Sequence, residues 1–167
     1  MTQRLRLSTQ IVLLVLTIVV LSVSVGLGVS VYDARNNVNR ETGREALAIA
    51  RTVATVPAIR QAFGDRKPWL TIDPIAERIR KMTGAAFVVV ANRQGIRYSH
   101  PNKALLGKSL LNDPGENPAP VLAGESQVVV QSGSLGRSMR AKVPIFVPAT
   151  GKVIGLVSVG EIGRAHV

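Results

Sequence analysis

The stretch Arg97-Tyr98-Ser99-His100-Pro101 and, further along, Ser138-Met139-Arg140-Ala141-Lys142 bring together three fixed positive charges and one titratable imidazole. An arginine fork can hold a carboxylate through two parallel charge-assisted hydrogen bonds, which a lysine cannot do. Arg97 and Arg140 are therefore the candidate carboxylate holders. Lys142 adds a compact charge for a third carboxylate or a hydroxyl. His100, with an ordinary pKa of about 6.5, can donate to a ligand oxygen and make binding pH-sensitive. Gly133-Ser134-Leu135-Gly136 lets the backbone come close to a ligand and offer N–H groups to an anion. As a set, these residues suit a small polycarboxylate. Singly they have plainer readings: an arginine on a strand faces solvent, a histidine before proline is structural, and Gly-Ser-Leu-Gly is a turn.

Such a set works only if the backbone aims it. In an extended segment residues i and i+2 share a face, so Arg140 and Lys142 look out together. Arg97 and His100, at i and i+3, fit a strand end turning into a loop at Pro101. The valine-rich run Ala85–Ala91 predicts a buried strand, Asn92–Gly95 a turn, and Ile96–Ser99 the other arm of a hairpin. Residues Asn112–Pro120 carry three prolines and a glycine and predict a loop. Gln127–Gln131, Arg137–Phe146 and Val153–Val159 predict three more strands. Ahead of them, Asp33 to about Phe63 reads as one long helix with an apolar stripe at Val38, Ala46, Ala48, Ile49, Val53, Val56 and Ile59, kinked or broken at Pro57. Asp73-Pro74 predicts a short helix to about Met82, with Asp73 as its N-cap. The order predicts an α+β fold with an antiparallel five-stranded sheet.

No charged side chain occurs from Leu7 to Tyr32, and Ile11–Val31 is mostly apolar. That run suffices to span a hydrocarbon core of about 30 Å. Arg4 and Arg6 precede it, so the positive-inside rule leaves residues 1–10 in the cytoplasm, 11–31 as a transmembrane helix and the rest outside. The run is longer than a signal-peptide core, and no small-x-small cleavage site closes it. The chain lacks cysteine, which excludes a disulfide framework and a thiolate metal site. A net charge of +11 points to an anionic partner. The basic residues are dispersed and aromatics few, so no nucleic-acid partner is expected. An enzymatic role has no support: His100 lacks an evident nucleophile partner, and no metal-ligand cluster is apparent.

An anchor, a long helix, Arg97-Tyr98-Ser99-His100-Pro101, Leu106-Gly107-Lys108, the run Gly133 to Pro144 and Gly155 to Gly160 together resemble one known family. It is the extracytoplasmic sensor region of citrate and C4-dicarboxylate sensor histidine kinases, of the CitA/DcuS type. The likeness spans nearly the whole chain. It implies a PAS-like (PDC, single-Cache) domain over residues 33–160 that binds a carboxylate under its sheet. It also implies a homodimer signalling to a cytoplasmic response regulator. By the same resemblance the carboxylate-binding residues fall on Arg97, His100 and Arg140, with the citrate-type lysine on Lys142. The citrate-type Gly-Ser-Leu falls on Gly133, Ser134 and Leu135, and the final-strand serine on Ser158. Dicarboxylate-type members carry phenylalanine where this chain has Leu110 and Lys142, and citrate-type members a threonine where Val89 stands. Lys142 tips the expectation to citrate, ahead of malate, fumarate or succinate. A chemoreceptor with the same sensor domain, or a secreted polyanion-binding domain, are the alternatives.

The resemblance implies that the parent protein continues into a second membrane helix, a cytoplasmic PAS domain and the kinase domains that use ATP and Mg. No catalytic residue is expected in this stretch, and no cofactor. Residues 161–167 break from the sheet pattern and are expected to be non-native. Back-translated, they match a common sequencing-adapter oligonucleotide, so Arg164 and His166 carry no chemistry in this reading. The coding DNA decides that point.

Overall fold

The computed structural model describes residues 7–113, 115–133 and 136–161. It divides into two units, Met1–Val38 and Asn39–Val167. In the first, the stretch Gln10–Leu27 of helix α1 (Leu7–Thr55) is solvent-facing, and by length and composition could cross a membrane.

In the second unit the end of α1 buries Ala46, Ile49, Ala50, Val53 and Ala54. Ala48 of the expected stripe is exposed, and the side chain of Val38 lies outside the described residues. The break expected at Pro57 is present. Proline crowds the residue before it out of the helical region, and Val56 is extended at φ −60° and ψ 118°. Helix α2 (Pro57–Ala62) follows, with proline at its first position, where no N–H is missed. Helix α3 (Trp69–Thr83) starts four residues ahead of the expected Asp73 cap. Pro68 provides the start, and its carbonyl accepts Ile72 N–H at 2.9 Å. Asp73 thus sits inside the helix and takes an ion pair instead of a cap, with Lys103 Nζ at 2.7 Å. Gly84, left-handed at φ +75°, closes α3 and donates its N–H to the Arg80 carbonyl.

The sheet has four strands, β1 (Phe87–Asn92), β2 (Gln127–Gly133), β3 (Gly136–Phe146) and β4 (Val153–Glu161), in the order β1-β4-β3-β2, all antiparallel. A short helix α4 (Ala119–Leu122) precedes β2. The α+β class stands, but the expected fifth strand does not. Ile96–Ser99 makes isolated bridges rather than a ladder. The Ser99 hydroxyl joins the contact with β1, accepting Val90 N–H at 2.8 Å and donating to the Val88 carbonyl at 3.1 Å, beside a backbone bond from Tyr98 N–H to the Val90 carbonyl at 2.7 Å. The Arg97 backbone turns instead to Gly107 and Lys108.

Side chains alternate across the sheet. Val88, Val90, Ala141, Val143, Ile145, Val157 and Val159 form one core with the helices. On the opposite face, Ala91 and Leu156 form a second, smaller cluster with Leu110 and Val121. The chain between β1 and β2 covers that face, and the candidate site lies there.

Candidate functional site

Register sets the charged face. Arg140 pairs with Gly160 of β4, which pairs with Phe87 of β1; Lys142 pairs with Ser158, which pairs with Val89. Gly160 has no side chain, and the Phe87 ring lies over it, in the space a Cβ would fill. That ring supports the Arg140 guanidinium, whose centre is 5.2 Å from the ring centroid. Arg140 Nε donates to the Ser138 hydroxyl at 3.1 Å, which fixes the plane of the fork. Burial lowers its pKa from a very high value, with Glu116 opposing, so it stays cationic.

Arg97 is 3 % exposed. Its Nη1 donates to the Ser109 carbonyl at 2.9 Å and its Nη2 to Asp113 Oδ2 at 2.7 Å. His100 Nδ1 lies 3.0 Å from the Asn102 N–H, which donates to it when the neutral ring carries its proton on Nε2, and 3.2 Å from the Asn102 carbonyl, which accepts when the proton is on Nδ1. Burial first, and the Arg97 charge second, hold the imidazole below its ordinary 6.5. An unfolded chain therefore takes up this proton before the folded one does as pH falls. Stability from this group is complete above about 6.5 and is lost as pH drops through the lower folded value. The melting temperature, followed by circular dichroism, is expected to fall below that pH, and to fall less steeply in His100→Asn. An identical slope in the variant would show that His100 does not titrate this way.

Arg97, His100, Arg140 and Ser158 line one cavity of about 30 Å³, together with Phe87, Val89, Leu110, Asp113, Glu116 and Leu156. Lys142 shares the Arg140 face but does not line this cavity. It is buried, with Nζ at 2.5 Å from Glu116 Oε1 and 3.0 Å from Gln131 Oε1. Gly133 ends β2 opposite Gly136. Ser134 and Leu135 lie outside the described residues. Asp113 and Glu116 were missed from sequence. The signal available was electrostatic: several cations on one buried face need counter-charges, and the covering loop holds these two acids.

The pattern of one protein family, single cache domain 3, matches residues 33–163. The chain belongs to that family. The single cache domain is 45% identical over 123 residues to the sensor protein CitS of Halalkalibacterium halodurans, covering 74% of this chain and 22% of that protein. It is 37% identical over 121 residues to the sensor histidine kinase DcuS of Shigella flexneri, covering 72% and 22%. The chain thus spans about a fifth of the length of these curated relatives. The crystal structure of the Escherichia coli DcuS sensor domain superposes with a TM-score of 0.67 at 35% identity, covering 74% of this chain and 90% of that one. The same E. coli domain is also described as the sensory domain of a membraneous two-component fumarate sensor. The single cache domain is homologous to the sensor domains of these kinases, as the motifs implied.

Proposed function

We propose that residues 33–160 are the extracytoplasmic sensing domain of a membrane-anchored two-component histidine kinase, and that they bind citrate or a C4-dicarboxylate. One observation carries this reading: Arg97 and His100 from after β1, Arg140 from β3 and Ser158 from β4 converge on one buried cavity. Two arginine forks and an imidazole donor are a donor set for two carboxylates. Lys142, beside Arg140 on β3, is the natural holder of a third and keeps citrate first. Gly133, Ser134 and Leu135 would add backbone donors at the β2–β3 turn. The E. coli relative described as a fumarate sensor supports the carboxylate class. In this reading the apolar stretch within α1 anchors the chain, with its N-terminus in the cytoplasm and the domain outside. The parent works as a homodimer, and its ATP- and Mg-dependent kinase region hands phosphate to a response regulator. Ligand draws the Arg97 and Arg140 stretches together, and β4 carries the resulting shift of the sheet toward the membrane. That is a population shift driven by unequal affinity for two states.

Titration calorimetry of the chain in detergent micelles with citrate, malate, fumarate and succinate tests this. One acid is expected to bind one-to-one, well ahead of the others, with modest salt dependence. Equal, steeply salt-dependent binding of all four would instead describe a nonselective polyanion surface. No binding at all would remove the carboxylate reading.

A further inference from the structure

The acids beside the candidate site are the feature that the proposed function leaves unused. Asp113 sits 2.7 Å from Arg97, and Glu116 sits 2.5 Å from Lys142 and 3.6 Å from Arg140. Each cation assigned to a ligand therefore already faces a carboxylate of the chain itself. Glu116 is buried nearly as deeply as its partners, at 5 % side-chain exposure. The cavity left beside these pairs is small, about 30 Å³, with room for a few waters. A second cavity, of about 290 Å³, is lined by Gly115, Asn117, Gln131 and Lys142. Gln131 Nε2 is a buried donor with no partner among the described residues. This closed arrangement leaves a donor open that an incoming oxygen could satisfy.

We propose that Asp113 and Glu116 are a tethered competitor for the carboxylate site: they sit on its cations when it is empty, and ligand displaces them. This deepens the proposed function and rests on it. Charge makes the two occupants mutually exclusive. Arg97, Arg140 and Lys142 against Asp113 and Glu116 leave one net positive charge. Adding a dianion beside the seated acids would make the buried set net negative, and like charges at close range are strongly unfavourable there. With the acids displaced, three cations match a tricarboxylate fully and leave one charge over for a dicarboxylate. The short tether gives the internal acids an effective concentration on the order of millimolar. Apparent affinity is the intrinsic affinity multiplied by the fraction of time that the acids are unseated. The pair therefore sets the ligand concentration at which the domain responds.

The test is calorimetry and amide hydrogen exchange on the full chain in micelles, with citrate and malate as probes. Asp113→Asn, Glu116→Gln and Arg140→Ala are compared with the wild type. Glu116→Gln is expected to bind the preferred acid about tenfold more tightly, as for an unseating that raises the competent fraction from about a tenth to near unity. In the wild type, ligand is expected to speed exchange at the amides of Asp113 and Glu116, which donate to the carbonyls of Leu110 and Asp113. Unchanged or weaker affinity in both acid variants, with binding lost in Arg140→Ala, would make the acids permanent counter-ions and overturn the proposal. Unchanged or slower exchange on binding would do the same. Binding by Glu116→Gln alone supports the competitor, whereas no binding by wild type or variant removes the carboxylate reading itself and the proposal with it. Glu116→Gln leaves Lys142 without its anion, so E116Q combined with K142M serves if the single variant fails to fold. That pair must bind malate through Arg97 and Arg140 more tightly than the wild type; equal or weaker binding overturns the competitor.

Discussion

Arg140→Ala is expected to weaken binding of the preferred carboxylate by about 100-fold or more. A hydrogen bond to a charged group contributes about 1.5–3 kcal/mol, and a bidentate fork supplies two. About 1.4 kcal/mol is a factor of ten in affinity, so two lost bonds exceed two orders of magnitude even at the lower end. The geometry favours that full loss. Arg140 is 6 % exposed, propped on Phe87 and oriented by Ser138, so its fork is held in place before ligand arrives. Removing it leaves Glu116 still paired with Lys142 at 2.5 Å, so no buried carboxylate is stranded. The variant is therefore expected to fold, with a melting temperature close to the wild type. Arg140→Lys keeps the charge and loses the fork, and is expected to recover only part of the affinity. Calorimetry on the three proteins decides this. Binding by the alanine variant within threefold of wild type would show that Arg140 does not hold the ligand.

The reach of the sequence follows how local each cause is. The break at Pro57 was legible because a covalent ring forces it on Val56. The shared face of Arg140 and Lys142 was legible because strand parity is geometric, and Ser158 then falls beside Lys142 by register. What parity could not show was the company Lys142 keeps. Glu116 lies 26 residues away in a prolyl loop, where no periodicity tells a side chain which way to turn. Lys142 read as a citrate contact, and in the folded domain Glu116 and Gln131 accept from it. Ile96–Ser99 read as a strand because it alternates. Nothing local announced that the Ser99 hydroxyl would join the contact with β1, or that the Arg97 backbone would pair with Gly107 and Lys108. Asp73-Pro74 met the rules for a helix start, as Pro68 did a few residues earlier. Tertiary structure chose between them by using the Asp73 carboxylate for Lys103. The two misreadings, at Ile96–Ser99 and at Asp73, share a form: a polar side chain with a good local role was taken by a partner distant in sequence.

Gly155→Ala is expected to be among the most damaging single-methyl additions in the domain. Gly155 lies in β4 between Asn92 of β1 and Ile145 of β3, at the helix-facing side of the sheet. A Cβ built there overlaps the Ala91 carbonyl oxygen and comes within 2.6 and 2.8 Å of Cε1 and Cζ of Phe63. The ring could shift, but the carbonyl belongs to a paired strand and cannot move without opening the β1–β4 ladder. Overpacking a core typically costs about 1–3 kcal/mol, and a clash with fixed backbone belongs at or above the upper end. About 3 kcal/mol is a large share of the 5–15 kcal/mol that holds a domain together. The melting temperature is expected to fall by about 10 °C or more. Gly84→Ala is the control: its φ of +75° is strained for alanine, but open space surrounds its Cβ, so the cost is about 1–2 kcal/mol. Phe63→Leu in the Gly155→Ala background should restore only part of the loss, because the Ala91 contact remains. Damage should also reach the site, since Phe63 packs edge-on against Tyr98 at 5.4 Å, and Tyr98 stands between Arg97 and Ser99. A folded Gly155→Ala population is therefore expected to bind carboxylate more weakly, although the mutation touches no site residue. A melting temperature within a few degrees of wild type would show that β4 does not pack so closely against β1 and Phe63.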